Sequence, residues 1–139
     1  MVTGAVVAIV IVALIYAFTL LRPVPRIDTD FGPDKLSFTS QTPPGEAFKV
    51  VEALPVSSKY KLGRVDLQRG RIIFSEGMTM SSYGFFYPVD ITPAAEGSTI
   101  TVGVRSKYPF QFGPLAKSAR DKARQAMVDA LEAKLAGTI

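Results

Sequence analysis

The stretch YKLGRVDLQRGRIIFSEGMTMSSYGFFYPVDITPAAEGSTITVGVR, residues 60–105, decides the fold. Its most regular run has apolar or aromatic side chains at every second position: Tyr83, Phe85, Tyr87, Val89 and Ile91. This period of two is typical of strands that bury one face, and Gly-containing turns separate the runs. The stretch therefore predicts an antiparallel sheet built from hairpins.

One strand of this stretch changes phase. Apolar positions alternate at Tyr60 and Leu62, and they alternate again at Val65 and Leu67, one residue out of step. Gly63 lies between the two runs. A phase shift at a glycine indicates a β-bulge.

Helix signals flank the predicted sheet. A short strand over 36–39 precedes a helix over 42–54, which prolines open and Pro55 ends. A longer helix follows Gly113-Pro114, with apolar residues at helical spacing as far as Gly137. The order β-α-β-β-β-β-α predicts a two-layer α+β domain over 35–139, with the C-terminal helix packed on the apolar face of the sheet.

The N-terminal segment is almost entirely apolar. Met1 to Leu21 carry no charged side chain and would form a helix roughly 31 Å long, which matches a bilayer core. We therefore predict a transmembrane helix over 1–22 and a proline-rich linker over 23–34. The alternative is a cleaved signal peptide, which the lack of a basic start and of a cleavage site disfavours.

The predicted transmembrane helix also implies where in the cell the protein lies. Arginines 22 and 26 follow the apolar run, and only the terminal amine precedes it. By the positive-inside rule, we expect a single-pass protein of the cell inner membrane with its soluble domain in the cytoplasm.

Composition excludes several kinds of chemistry. The 139 residues include no His and no Cys, which removes the commonest general base, the commonest metal ligands and the thiolate nucleophile. No phosphate-binding glycine motif is present. The net charge of +4 comes with no recognised nucleic-acid motif, so we expect no nucleic-acid partner, no metal and no cofactor.

A resemblance adds to this pattern. The run from Lys61 to Pro109, KLGRVDLQRGRIIFSEGMTMSSYGFFYPVDITPAAEGSTITVGVRSKYP, with the Ala-rich helix after it, resembles small bacterial domains of unknown function. It also resembles a reduced START/polyketide-cyclase (helix-grip) domain, over residues 34–136. The resemblance implies an apolar ligand between the sheet and the C-terminal helix, and it carries over no binding residue.

Carboxylates are the only candidates for catalysis. Asp66, Glu76 and Asp90 lie in the sheet region, and two of them brought together could act as acid and base. The alternative, which we favour, is that they are solvent-facing strand residues opposite basic side chains. We therefore expect no enzyme activity.

Basic and aromatic residues are the candidates for contact with a membrane or a partner. Lys and Arg crowd the first half of the C-terminal helix, and either a solvated face or contact with anionic groups would explain them. Aromatic residues outside the predicted core would form a docking patch where exposed, or pack inside the domain where not. The predicted contact residues are Tyr16, Arg22, Arg26, Phe86, Phe110, Phe112, Lys117, Arg120 and Arg124.

These features favour a non-catalytic function. The leading hypothesis is an accessory subunit that stabilises a larger integral-membrane complex, respiratory or photosynthetic by analogy, in contact with other subunits and the lipid bilayer. The alternative is a membrane-tethered binding module for a lipid or another apolar ligand, which requires a pocket of several hundred Å³ or so.

Overall fold

Six strands form one antiparallel sheet with a helix at each end of the chain. The computed structural model describes residues 2–21, 24–27, 29, 31, 35–57, 59–77, 84–107 and 114–137. The elements are α1 (Val2–Leu21), β1 (Leu36–Ser40), α2 (Pro44–Glu52), a 3₁₀ turn (Leu54–Ser57), β2 (Tyr60–Asp66), β3 (Arg71–Glu76), β4 (Phe85–Pro93), β5 (Ser98–Val102), β6 (Arg105–Ser106) and α3 (Pro114–Ala136).

The strand order is β1-β5-β4-β3-β2, with β6 paired to the start of β4. β5 and β6 pair with successive parts of β4. Two further backbone hydrogen bonds join the same segments: Gly103 N donates to Pro88 O (2.8 Å), and Lys107 N donates to Gly84 O (3.1 Å). Within this sheet β1 and β2 are the edge strands. The α+β class agrees with the prediction from the sequence, but the structure has one strand, β6, more than the predicted order β-α-β-β-β-β-α.

The predicted bulge at Gly63 is confirmed. The pairing of β2 with β3 shifts register between Leu62 and Arg64, so one extra residue lies on β2. A side chain at Gly63 would meet Val24 and the Ile73 carbonyl oxygen at 2.8 and 2.9 Å, which explains why this position carries none.

The core lies between the sheet and two helices. Residues of β3, β4 and β5 that share one face, such as Phe74, Tyr87 and Ile100, are 0% exposed. They belong to one apolar cluster with Met127 and Leu131 of α3 and with Ala47, Phe48 and Val51 of α2. We call this side of the sheet the inner face, and its burial is the main stabilising term of the fold.

The predicted transmembrane helix is wrong. Among the residues that the structure describes, no helix is long and apolar enough to cross a membrane. α1 is helical over Val2–Leu21, as the sequence predicted, but it is not identified as such a span. The single-pass topology, the inner-membrane localisation and the description as a membrane accessory subunit rest on that span and are corrected with it.

The outer face of the sheet is crossed by part of the segment predicted to be a linker. We call residues 24–27, 29 and 31 the strap. Arg64 donates to the carbonyls of Pro25 (2.7 Å) and Val24 (3.2 Å). The domain boundaries at 22 and 34 stay predictions, but the strap packs against the sheet at its described residues.

Arg71 contacts the strap at three residues. Its Nη1 donates to the carbonyls of Ile27 (3.0 Å) and Thr29 (2.8 Å), and its guanidinium lies 4.7 Å from the Phe31 ring centre. The same guanidinium forms a bidentate pair with Asp90 (2.6 and 2.9 Å). One side chain therefore joins β3, β4 and the strap.

Replacing Arg71 by Met should lower the free energy of unfolding by about 2–3 kcal/mol. The change leaves the Asp90 carboxylate, only 22% exposed, and two strap carbonyls without their donor. Urea unfolding of the full chain measures this. The matched control is Arg64→Met, which also loses two bonds to the strap but at an exposed position, and should cost less than about 1 kcal/mol. Equal losses in the two variants would contradict the role given to Arg71.

Candidate functional site

The inner face of β2 is open from Leu62 onward, although Tyr60 at the start of the strand is buried on the same face. Register places Leu62 opposite Phe74 and Val65 opposite Ile72, so all four side chains share the inner face. Phe74 and Ile72 are 0% exposed, whereas Leu62 and Val65 are each 42% exposed. Leu67, in the turn that follows, is 67% exposed. We call Leu62, Val65 and Leu67 the inner-face strip.

The strip ends at a small cavity. Leu67 lines it together with Phe48 of α2 and Ile91 of β4, and its volume is about 260 Å³. The tight turn at Gly70, which has φ +67°, shapes one wall, and Ile91 N donates to Gly70 O at 2.7 Å. Leu67 therefore belongs to both the strip and the cavity, whose lining also includes the polar residues Gln68, Arg69 and Thr92.

A second, more open cavity lies at the opposite edge of the sheet. It measures about 530 Å³ and is lined by the 38–41 segment of β1 and the turn after it, and by Glu132, Leu135 and Ala136 of α3. Phe38 and Leu135 give it two apolar walls, and its remaining lining is mostly polar.

The space directly beneath α3 is filled. Tyr87 and Val89 of β4 and Met127 and Leu131 of α3 are 0% exposed within one cluster. Protein interiors packed in this way leave no room for a ligand. Within the described residues, space for an apolar molecule is therefore found beside α3 and not under its middle.

A buried polar cluster occupies the inner face at the far end of β3 from the cavity beside α2. Tyr87 donates its hydroxyl proton to Glu76 Oε1 at 3.0 Å, and Lys59 Nζ lies 2.8 Å from Glu76 Oε2. Tyr60 packs edge-on against Tyr87, with ring centres 5.5 Å apart. Glu76 is 5% exposed, so its negative charge is stabilised by these two partners.

The cluster shifts the pKa of its members. Burial raises the pKa of Tyr87 well above its usual range, and the adjacent Glu76 carboxylate raises it further. The hydrogen bond from Lys59 to Glu76 raises the pKa of Lys59, against the opposing effect of burial. The phenol and the amine therefore both keep their protons at neutral pH.

The three candidate carboxylates do not converge. Glu76 lies on the inner face, while Asp66 and Asp90 are paired in register with Arg71 on the outer face. Asp66 lies 3.7 Å from Arg69, and Asp90 is paired with Arg71. Over the described part of the chain, no three acidic residues are grouped so as to hold a metal ion.

The predicted contact residues are scattered. Arg26 is exposed in the strap, and Phe86 is buried at 2% exposure under Lys107, whose Nζ lies 5.0 Å from its ring centre. Phe86 therefore packs within the domain and offers no docking surface. The side chain of Tyr16, together with Arg22, Phe110 and Phe112, lies outside the described residues.

The three basic residues of α3 differ in their surroundings. Lys117 is exposed and lies 3.1 Å from Asp121, and Arg120 is half-buried. The hydrogen bond from Lys117 lowers the pKa of the Asp121 carboxyl. Arg124, in contrast, is turned inward and is 7% exposed. The predicted partners, integral-membrane subunits and a lipid bilayer but no nucleic acid, stay predictions, since none of these placements tests them.

Solved structures with a similar fold include two with TM-scores above 0.5. One is the crystal structure of Ara h 8.0201, which is 15% identical in sequence to this chain. The alignment covers 75% of this chain and 97% of the Ara h 8.0201 chain, with a TM-score of 0.53. Another is protein MLL2253 from Mesorhizobium loti, which is 10% identical. The alignment covers 76% of this chain and 98% of the MLL2253 chain, with a TM-score of 0.55. No protein-family description and no curated protein matches the chain significantly.

These likenesses show the fold and nothing finer. The domain has the helix-grip fold of START/polyketide-cyclase type, which confirms that part of the predicted resemblance. Function has to be argued from the residues of this chain.

Replacing Tyr87 by Phe should lower the free energy of unfolding at pH 7 by about 1–2 kcal/mol, because Glu76 loses a buried donor. The raised pKa of Tyr87 means that its share of the stability is fully present below pH ~10, the unfolded value, and declines as the pH rises above it. The gap between the two proteins should therefore narrow between pH 9 and pH 11.5. Urea unfolding at several pH values measures it, and a gap that stays constant would contradict this account.

Proposed function

We propose that this chain is a non-catalytic binding module that holds a small apolar molecule on the inner-face strip. The observation that carries this proposal is the exposure of Leu62, Val65 and Leu67 on the face of the sheet that elsewhere forms the core. Apolar side chains at core-facing positions lose free energy by staying in water, and a ligand that covers them recovers it.

The shape of the site supports a narrow ligand. Adjacent side chains on one face of a strand repeat about every 6–7 Å, so the strip offers a line of contacts along β2. The line leads into the cavity of about 260 Å³ at Phe48 and Ile91, which is smaller than the usual pocket for a drug-sized molecule. An alkyl chain or a single ring fits these dimensions better than a bulky polycyclic ligand.

The three candidate carboxylates, all in described strands, lie on different faces of the sheet, and this separation also supports binding over catalysis. Glu76, the buried carboxylate of the inner face, is already neutralised by Lys59 and hydrogen-bonded by Tyr87. These contacts suit a structural role at that end of the sheet.

Titration of decan-1-ol into the ¹⁵N-labelled full chain tests the proposal. The amide signals of residues 62–67 and 45–48 should shift, because the strip and the cavity lie there. Leu67→Ser should weaken binding about fivefold, since roughly 1 kcal/mol of apolar contact is lost.

The matched control is Leu14→Ser, which makes the same change at a leucine of similar exposure, 63% against 67%, on α1. It should leave the affinity within twofold of wild type. Shifts confined to residues 3–15, or equal weakening by both substitutions, would rule the proposal out.

A further inference from the structure

Arg69 brings a positive charge to the cavity beside α2. It lies in the tight turn between β2 and β3, two residues after Leu67, and both residues line this cavity. The side chain of Arg69 is 58% exposed, and no other charged residue belongs to the described lining. A cation therefore lies at the end of the inner-face strip, where the strip meets the cavity.

The guanidinium of Arg69 is weakly paired within the chain. Its Nε lies 3.7 Å from Asp66 Oδ2, beyond hydrogen-bonding distance, and over the described residues its side chain donates no hydrogen bond. The other oxygen of Asp66 accepts a hydrogen bond from the backbone N–H of Arg69 at 3.2 Å. Because an exposed ion pair of this length adds little stability, the guanidinium can turn to another acceptor at little cost.

The other two arginines of this hairpin are held on the outer face. Arg64 donates to two strap carbonyls, and Arg71 donates to Asp90 and to the strap. Neither of them lines the cavity. A negatively charged ligand on the inner-face strip would therefore meet the guanidinium of Arg69 and not theirs.

The dimensions of the site suit a linear ligand with its head at Arg69. At about 3.3 Å per residue, Leu62 lies roughly 15 Å from Leu67, and Arg69 follows beyond the end of this line. The cavity of about 260 Å³ has room for a small head group and the first part of a chain. The rest of the chain would lie along the strip toward Leu62.

We propose that the ligand is an amphipathic acid whose carboxylate binds Arg69 at the cavity and whose apolar tail runs along the inner-face strip toward Leu62. A guanidinium suits a planar carboxylate because its N–H donors form a fixed fork, and it stays charged at every physiological pH. The inference rests on the proposed binding function and adds the class of the ligand and its orientation.

Paired titrations of the ¹⁵N-labelled full chain with decanoate and decan-1-ol at pH 7.5 test the head group, because the two probes share a tail. Arg69→Met removes the donors at an exposed position. It should weaken decanoate binding about fivefold, the effect of one exposed charge-assisted contact, and leave decanol binding within about twofold. Arg69→Lys, which keeps the charge, should recover part of the loss.

Hexanoate tests the orientation, because it has the same head group and a shorter tail. Decanoate should shift the amide signals of residues 62–70. Hexanoate should shift those of residues 67–70 and leave Leu62 unchanged, since a head fixed at Arg69 cannot bring a short tail to the far end of the strip. Hexanoate shifts centred on Leu62 would overturn the orientation and with it the role of Arg69.

The matched control is Arg64→Met, the same substitution in the same hairpin but on the outer face. It should leave decanoate affinity within about twofold of wild type, because an exposed charge on the other side of the sheet is screened by salt and solvent. Thermal unfolding without ligand should give Arg69→Met a midpoint close to wild type, since its ion pair is exposed and long.

The outcomes separate the inference from the proposed function. If decanol binds but Arg69→Met weakens both probes equally, or leaves decanoate unaffected, the assignment of Arg69 is wrong and the binding function stands. An equal loss of decanoate binding in Arg64→Met would also overturn it, by showing a general effect of charge. If neither probe binds wild type at sub-micellar concentrations, both the function and the ligand class are wrong.

Discussion

A helix is narrower than the sheet that α3 has to cover, and the rest of the structure follows from this mismatch. Five adjacent strands at about 4.8 Å spacing give a sheet some 20 Å wide, whereas a helix with its side chains is about 10 Å across. α3 rests on β1, β4 and β5, and α2 adds its apolar face over β4. The short 3₁₀ turn contacts β2, but α3 does not extend over Leu62 and Val65 on the inner face of this strand. These two side chains therefore stay exposed to solvent.

The outer face of the sheet is covered in part by the strap. It carries buried apolar residues of its own, Ile73 and Phe86. The strap lies over part of this face and is held by guanidinium groups that donate to its backbone carbonyls. Such bonds satisfy a segment that has no strand partner, so irregular backbone can lie against a sheet without leaving polar groups unpaired. Arg71 is central here, since it also neutralises Asp90.

Two buried charges on the inner side show opposite arrangements. Glu76 has a phenol donor and an ammonium partner within 3.0 Å, which is the usual condition for a stable buried carboxylate. Arg124 shares the Asp121 carboxylate with Lys117, and two of its nitrogens have no acceptor among the described residues. An incompletely satisfied buried polar group lowers the stability of a protein. The inner side therefore has one well-paired polar cluster and one incompletely paired cation.

The sequence by itself determined the strands, the turns, the bulge at Gly63 and the α+β class, because these depend on local alternation and on glycine and proline positions. It also suggested the helix-grip fold, which comes from element order. At the N-terminus, the apolar composition predicted a membrane span, and that prediction is wrong. The sequence also predicted a stiff, proline-rich linker over 23–34, and it did not show that part of this segment packs on the sheet.

Only the tertiary structure decided which apolar positions are core and which are surface. β2 alternates apolar and polar residues on either side of its bulge, and nothing in this pattern says that β2 lies at an edge beyond the reach of α3. Likewise, the pattern of basic residues in α3 treats Arg120 and Arg124 alike, and only the packing of the helix against the sheet turns Arg124 inward. Exposure and pairing are set by contacts between residues far apart in the chain, so a linear pattern cannot contain them.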